Sequence, residues 1–171
     1  MTSFTFELFP HSTLHLALFS EVTNAAELKA ALPHFDCALM STELLSSVQH
    51  VLCAANRALF NEFRGERKTK TVYADLIYYL SPTTNIRESL QRWGVHEDSR
   101  TVLAVSFSEE GLTQVCKAVE GRQEPLRRLS EFSDLKKVAE VFEVGQEELQ
   151  SDLSLTAAVY TRIALKDYKK S

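Results

Sequence analysis

Cysteine is scarce in this chain, and the little that is present shows no pairing pattern. Three cysteines, Cys37, Cys53 and Cys116, are spread over 171 residues, and none belongs to a CxxC motif. An odd number at such wide spacing is not typical of a disulfide framework or of a zinc knuckle. A chain without structural disulfides suits a reducing compartment. We therefore expect a protein of the cytoplasm and the nucleus.

Glycine-rich loops and catalytic signatures are also missing from the sequence. The glycines stand far apart, at positions 65, 94, 111, 121 and 145, so no loop has the composition that cradles a phosphate. No G-x-S-x-G elbow occurs. His11 and His15 lie on a predicted strand that separates them by about 13 Å, too far to share a metal ion. The sequence therefore predicts a protein that is not an enzyme and uses no metal and no cofactor.

Long apolar runs are absent, and the charge balance is mildly acidic. No stretch approaches the roughly 18 apolar residues needed to span a membrane. The first ten residues, MTSFTFELFP, lack the basic region and apolar core of a signal peptide. We expect no membrane association. The net charge of −4 argues against a protein that coats duplex nucleic acid, because such binding rests on neutralising phosphates.

Hydrophobic periodicity predicts one mixed α/β domain that covers residues 1–171. We expect a small sheet of about three to four strands, packed by about seven helices. Alternating apolar residues favour strands at Thr5–Phe9 and Thr13–Phe19. The segment TVLAVSF at Thr101–Phe107 has the strongest strand pattern in the chain.

Apolar residues at steps of three and four predict the helices. The longest is expected at about Thr42–Arg64, and Gly65 suits its C-terminal cap. Its apolar stripe contains Leu52, Ala55, Leu59 and Phe63. Residues 72–80 fit either a helix or a strand, and Thr71 as an N-terminal cap favours the helix. Further helices are predicted after Asn24, at 85–93, after Ser108, at Ser133–Phe142 and at Ser151–Tyr168.

A basic, hydroxyl-rich segment, Lys68–Thr71, has the most unusual composition, and we call it the clip. Five basic and two acidic residues between positions 57 and 70 give a local charge of +3. One interpretation is an ordinary solvated loop at the end of a helix. The other is a phosphate site, with charge from Lys68 and Lys70 and hydroxyl donors from Thr69 and Thr71. Its size suits a single-stranded end better than a duplex.

Two further features leave alternatives open. Asn56 lies at the margin of the apolar stripe of the long helix, where a half-buried amide needs hydrogen-bond partners. Those partners are either local backbone groups or the neighbouring loop at 64–71. On the last helix, Leu165 and Tyr168 lie opposite the face of Val159 and Ile163. A terminal helix with two apolar faces is either buried on both sides or offered to a partner.

Residues 51–95, VLCAANRALFNEFRGERKTKTVYADLIYYLSPTTNIRESLQRWGV, resemble the PRPK-binding protein family (TPRKB). The matching motifs are the AAN-x-A helix around Asn56, the K-T-x-T clip, and L-S-P at 80–82. The N-I-x-E-x-L helix at 85–90 with its closing W-G completes the set. FELFP near the start and TRIALKDY near the end also resemble this family, so the likeness covers nearly the whole chain.

This resemblance implies a role in the KEOPS complex, also called EKC. That complex forms threonylcarbamoyladenosine next to the anticodon of tRNA. The resembled subunit is not an enzyme. It binds the atypical kinase subunit (PRPK) directly, contacts the transferase and the other subunits only indirectly, and helps to recruit tRNA through its single-stranded 3′ CCA tail.

The resemblance also implies roles for particular residues. Lys68, Lys70 and Arg67 are expected to contact phosphates of the tail, and Asn56 to order that site. Arg87 joins them if the helix at 85–93 packs near the clip. Our candidates for the kinase contact are Ile77, Leu80, Leu165 and Tyr168. The alternative is a pure protein adaptor or allosteric regulator of the kinase, in which the clip is a solvated loop and RNA is not bound.

Overall fold

The computed structural model describes residues 1–149 and 152–168 of the chain. The described residues form a five-stranded antiparallel sheet. Its strands are β1 (Thr2–Phe6), β2 (Phe9–Ser20), β3 (Ala38–Ser41), β4 (Val102–Ser106) and β5 (Arg122–Glu124). The order across the sheet is β1-β2-β4-β3, and β5 pairs with the end of β2 on the side that β1 occupies.

Seven α-helices and three short 3₁₀ segments surround the sheet within the described residues. The α-helices are α1 (Ala25–Ala31), α2 (Val48–Arg64), α3 (Val72–Leu80), α4 (Ile86–Trp93), α5 (Glu109–Ala118), α6 (Leu135–Val141) and α7 (Asp152–Ala164). The 3₁₀ segments are Leu32–His34, Leu126–Phe132 and Lys166–Tyr168. We call residues Leu165–Tyr168 the C-terminal turn.

The alternation of side chains along β2 places helices on both faces of the sheet. Leu14, Leu16 and Leu18 are buried against α2, α3, α6 and α7. Ala17 and Phe19 point the other way and are buried against α1 and α5. This period of two is what a strand imposes on successive side chains. The α2–α3 pair, which carries the clip, is therefore held on its inner side by the larger apolar core.

The mixed α/β fold predicted from the sequence is confirmed, but some boundaries were wrong. The first strand spans Thr2–Phe6 rather than Thr5–Phe9, and Phe9 begins the second strand. The longest helix begins at Val48 rather than near Thr42. Residues Ala38–Ser41 pair with β4 as a strand that the sequence patterns did not indicate. Ser47 then caps α2, since its hydroxyl accepts a hydrogen bond from the backbone N–H of His50 at 3.2 Å. The sheet also has more strands than expected, because the short β3 and β5 were not predicted.

Several helix predictions are confirmed by their caps. Residues 72–80 form a helix, and the Thr71 hydroxyl accepts from the N–H of Ala74 at 3.1 Å. Asn85 caps α4 by accepting from the N–H of Glu88 at 3.1 Å. The predicted last helix, Ser151–Tyr168, divides into α7 and the 3₁₀ segment that follows it; Ser151 itself lies outside the described residues. None of the helices in the described ranges combines the length and the apolar character needed to cross a bilayer.

Candidate functional site

The clip lies in the connection between α2 and α3, and both of its flanks are fixed. At the end of α2, Gly65 adopts a positive φ of 69°, and its N–H bonds to carbonyl oxygens of the last turn. A left-handed residue of this kind is the usual way to end a helix, and glycine adopts it without steric cost. At the other flank, Thr71 caps α3. The clip is therefore a short bridge between two fixed points.

A buried carboxylate, Asp75, organises the backbone of the clip. Its side chain is fully buried. It accepts hydrogen bonds from the N–H of Lys68 at 3.1 Å, from the N–H of Thr69 at 2.7 Å and from the Thr69 hydroxyl at 2.7 Å. Hydrogen bonds to an ionised acceptor are about twice as strong as neutral ones. The loop thus folds around Asp75, with the side chain of Thr69 inward and those of Lys68 and Lys70 exposed.

The basic residues near the clip differ in how their charge is compensated. Arg64 pairs with Glu66 at 2.9 Å, and Arg67 pairs with Glu62 at 3.0 Å. Within the described ranges no carboxylate lies within 4.0 Å of the ammonium of Lys68 or Lys70. Among the basic residues near the clip, these two lysines are therefore the most available to an anionic ligand.

An apolar cavity of about 400 Å³ opens beside the clip. Thr71, Tyr73 and Ala74 of the clip and of α3 line one wall, and Leu90 and Gly94 from the end of α4 line another. The Tyr73 ring stacks on Phe107 with a centroid distance of 5.9 Å. Cations next to an aromatic, apolar cavity are the combination that binds single-stranded nucleic acid, through phosphates and through bases.

Two of the predicted RNA-contact residues lie away from the clip. The end of α4 that meets the start of α3 is the Leu90–Gly94 end, so Arg87, at the first turn of α4, is exposed at the opposite end. Asn56 lines a groove between α2 and α7 together with Tyr160. None of the hydrogen bonds described for the loop at 64–71 goes to Asn56. The structure brings Arg67, Lys68 and Lys70 together but not Arg87 or Asn56.

The predicted kinase-contact residues divide into an exposed and a buried pair. In the C-terminal turn, Leu165 is 48% exposed and Tyr168 is 79% exposed. Ile77 is 8% exposed and lines the cavity beside the clip, and Leu80 is fully buried in the core. Of these four residues, Leu165 and Tyr168 are therefore the two that present apolar surface to the outside.

Two aromatic residues of α2 also present apolar surface to the outside, and the sequence patterns missed them. Phe63 was assigned to the inner stripe of α2, but it is 83% exposed and its ring lies 6.3 Å from that of Phe9. Phe60, 36% exposed, lines a cavity of about 330 Å³ with Ala164 of α7. Two phenylalanines three positions apart, at 60 and 63, were the feature of the sequence that could have indicated this exposed surface. Residues three positions apart lie on the same side of a helix, and large exposed aromatic residues grouped in this way indicate a contact surface.

The chain matches the family model described as kinase binding protein CGI-121 over residues 19–167. That span contains both the clip and nearly all of the C-terminal turn. It covers far more than half of the 171 residues. The chain belongs to the CGI-121 family. The resemblance to the PRPK-binding proteins that residues 51–95 indicated is thereby confirmed.

Three curated relatives of this CGI-121 family chain match along nearly its whole length. The EKC/KEOPS complex subunit TPRKB of Danio rerio is 31% identical over 167 residues, covering 94% of this chain and 95% of the relative. The EKC/KEOPS complex subunit CGI121 of Yarrowia lipolytica is 28% identical over 169 residues, covering 94% and 98%. The Schizosaccharomyces pombe subunit cgi121 is 27% identical over 175 residues, covering 94% and 97%.

The described part of this CGI-121 chain contains no candidate metal site. No three His, Cys, Asp or Glu side chains there are grouped so that they could hold a metal ion. The three cysteines are unpaired, and burial raises the pKa of Cys37 to about 12, with smaller contributions from Asp36 and Cys116. A thiol with a raised pKa is mostly protonated and is a weak nucleophile at neutral pH.

Proposed function

We propose that this chain is a non-catalytic subunit of a KEOPS complex. In this role it binds the atypical kinase subunit and holds the 3′ CCA tail of tRNA while threonylcarbamoyladenosine is formed next to the anticodon. The relatives named as EKC/KEOPS subunits and the kinase-binding family description support the membership and the kinase contact. The observation that carries the RNA contact is the clip, with two unpaired lysines held outward by Asp75.

The geometry of the clip fits a single-stranded tail. Lys68 and Lys70 contact phosphates, and a base of the tail stacks in the apolar cavity lined by Tyr73. Arg67 strengthens the local field, although its own guanidinium pairs with Glu62. A tail anchored here keeps the rest of the tRNA at a high effective concentration near the distant transferase. This arrangement needs no chemistry from the chain itself.

The kinase contact is assigned to the apolar surface formed by Leu165 and Tyr168 of the C-terminal turn and by Phe60 and Phe63 of α2. Asp167 forms an ion pair with Arg57 of α2 at 2.5 Å, which holds the turn against that helix. Tyrosine and other aromatic residues are enriched among the residues that dominate interface energies. Ile77 lines the cavity beside the clip and Leu80 is buried in the core, so neither belongs to this surface.

The RNA part of the proposal is tested with intact tRNA and with the same tRNA lacking its 3′ CCA. We expect trimming to weaken binding by about tenfold or more, because each stacked base contributes ~1–3 kcal/mol. Replacing both Lys68 and Lys70 with glutamine should weaken binding to intact tRNA. A plot of log K against log salt concentration should also become less steep. The magnitude of its slope should fall by about 1.4, because two phosphate contacts to a single strand are lost.

A matched control is the double replacement of the exposed Lys117 and Lys136 with glutamine, which makes the same change in net charge away from the clip. It should leave both the affinity and the salt dependence unchanged. Equal binding of intact and trimmed tRNA, or equal effects of the two double variants, would contradict the RNA contact. The chain would then be a protein adaptor of the kinase.

The kinase part of the proposal predicts a strong effect of charge in the C-terminal turn. Leu165→Glu should weaken binding of the kinase subunit by about tenfold or more, because a buried interface anchor is worth ~2 kcal/mol. Ile86→Glu is the control, since Ile86 is similarly exposed at 39% but lies on α4. Isothermal titration calorimetry measures both. Loss of affinity with Ile86→Glu but not with Leu165→Glu would place the kinase elsewhere.

A further inference from the structure

The C-terminal turn contains a buried lysine between its two exposed apolar residues. Lys166 is 1% exposed, whereas Leu165 and Tyr168 on either side lie at the surface. Burial lowers the pKa of the Lys166 ammonium to about 7, against the charges of Asp167 and Asp75, which favour its protonated form. A buried ammonium is unfavourable unless its donors are satisfied. The contacts of Lys166 therefore fix how the turn is seated.

Those contacts attach the turn to the C-terminal end of α3. The Lys166 ammonium donates to the carbonyl oxygens of Tyr78 and Ser81, the latter at 2.9 Å. It also lies 3.4 Å from the centroid of the Tyr78 ring. A cation at this end of a helix interacts favourably with the last carbonyl groups and with the helix dipole. The Tyr78 carbonyl also accepts from the backbone N–H of Ser81 at 3.3 Å. The clip is at the opposite end of the same helix.

A second connection runs from the turn to the loop that carries the clip. Asp167 accepts a hydrogen bond from the Tyr79 hydroxyl at 3.2 Å. The same hydroxyl accepts from the side-chain amide of Asn61 at 2.6 Å. The backbone carbonyl of Asn61 accepts from the N–H of Glu66 at 2.8 Å, two residues before the clip. Tyr79 and Asn61 are buried and Asp167 is half-buried, whereas Glu66 is exposed.

Electrostatics links the two regions directly as well. Burial alone would raise the pKa of Asp167, but the ion pair with Arg57, the Tyr79 hydroxyl and the charge of Lys68 together lower it. Lys68 of the clip is therefore close enough to influence the turn. The same is true of Asp75, whose charge acts on Lys166.

We infer that the C-terminal turn couples the two binding surfaces, so that kinase binding to the turn strengthens RNA binding at the clip. The inference rests on the proposed function. Its physical basis is that Lys166 and Asp167 can make their hydrogen bonds to α3 and to Tyr79 only while the C-terminal turn is packed against that helix. A partner bound to Leu165 and Tyr168 removes the states in which the turn is detached, and RNA then finds the clip already ordered.

The experiment measures the affinity for a short single-stranded RNA ending in CCA, with the chain alone and with the chain saturated by kinase. We expect the dissociation constant to fall by about fivefold or more on kinase binding, a usual size for coupling between two sites. By thermodynamic reciprocity, the RNA should raise the affinity for kinase by the same factor. Kinase alone is titrated with the same RNA to account for any direct binding.

The variant Lys166→Met keeps the length of the side chain and removes its donors. We expect the coupling factor to fall close to one while RNA still binds the variant. Asp167→Asn keeps the volume and removes the charge, and it should reduce the coupling in the same direction. Lys137→Met, at an exposed lysine paired with Glu43, is the control and should retain the full coupling. Circular dichroism verifies that each variant is folded.

The possible outcomes separate the inference from the proposed function. If the wild-type chain binds RNA and kinase independently, the coupling is refuted while the proposed function stands. If coupling exists but persists in Lys166→Met and in Asp167→Asn, the turn does not carry it. If the chain binds no RNA in either state, the RNA contact fails and the coupling fails with it. Hydrogen exchange at residues 66–71, slowed by kinase in the wild type only, would support the inference independently.

Discussion

Replacing Asp75 with alanine is expected to open the clip and to lower the free energy of unfolding by ~2–4 kcal/mol. The carboxylate is fully buried, and two backbone N–H groups and one hydroxyl donate to it. Without it, the N–H groups of Lys68 and Thr69 either stay unsatisfied or turn outward to water. In both cases the two lysines lose their fixed positions, and RNA affinity should fall by about tenfold because ordering them again on binding is unfavourable.

The measurement combines chemical denaturation with RNA titration for Asp75→Ala, Asp75→Asn and a control. Asp75→Asn retains one acceptor oxygen, so we expect a smaller loss in both quantities. The control is Asp134→Ala, because Asp134 caps α6 by accepting from the N–H of Lys137 at 3.1 Å. It should cost about 1 kcal/mol of stability and leave RNA affinity unchanged. If Asp75→Ala lowers stability but not RNA affinity, Asp75 is a structural residue without influence on RNA binding.

The parts of the fold that were predicted correctly depend on local sequence. Thr71, Asn85 and Ser108 accept hydrogen bonds from N–H groups three residues ahead, so their helices begin where the sequence indicates. Strand β4 is fully buried, and its sequence is therefore a continuous apolar run. That run indicated a strand from the sequence alone. These features need no knowledge of distant residues.

The parts that were missed depend on tertiary partners. Strand β3 has only four residues and exists because it pairs with β4 and is covered on both faces. Residues 42–47 were taken into α2 because Leu45 continues the apolar period of that helix. Leu45 is indeed buried, but in the connection before the Ser47 cap. An apolar period alone does not locate a helix start.

The candidate site shows the same division. The charge of Lys68 and Lys70 is local, so the sequence alone indicates the clip. The residue that organises it, Asp75, stands in an otherwise apolar helical segment, VYADLIYYL, and a lone carboxylate there was the available signal. Lys166 gave no signal, since a lysine near a terminus is ordinarily exposed. Lys166 is buried because it contacts the C-terminal end of α3, and the residues adjacent to Lys166 in the sequence do not indicate that contact.

Acidification is expected to destabilise the protein through His50, which is fully buried at the start of α2. One ring nitrogen, Nε2, lies 2.9 Å from the carbonyl oxygen of Leu80 and donates to it. The other, Nδ1, accepts from the backbone N–H of Ser46 at 3.2 Å. The neutral imidazole satisfies both contacts, whereas a protonated ring would direct a second N–H at the N–H of Ser46.

Burial lowers the pKa of His50 from 6.5 to about 4, although the Leu80 carbonyl favours the charged form. Between these two values the unfolded chain binds a proton that the folded chain does not, so the free energy of unfolding falls as the pH falls from 6.5 to 4. The difference corresponds to ~3 kcal/mol. Above pH 7 both states are neutral at this position, and His50 adds no pH dependence.

Chemical denaturation between pH 4 and pH 8 measures this contribution in the wild type, in His50→Gln and in His11→Gln. The carboxylates titrate in all three proteins, so the comparison isolates the histidine. His50→Gln should be less stable than the wild type at pH 7 but should lose less stability on acidification, and the two curves should converge towards pH 4. His11 is exposed, and His11→Gln is the control for replacing a histidine outside the core. Parallel curves for His50→Gln and the wild type would mean that the folded protein accepts a charged His50 without penalty, contrary to the contacts with Leu80 and Ser46.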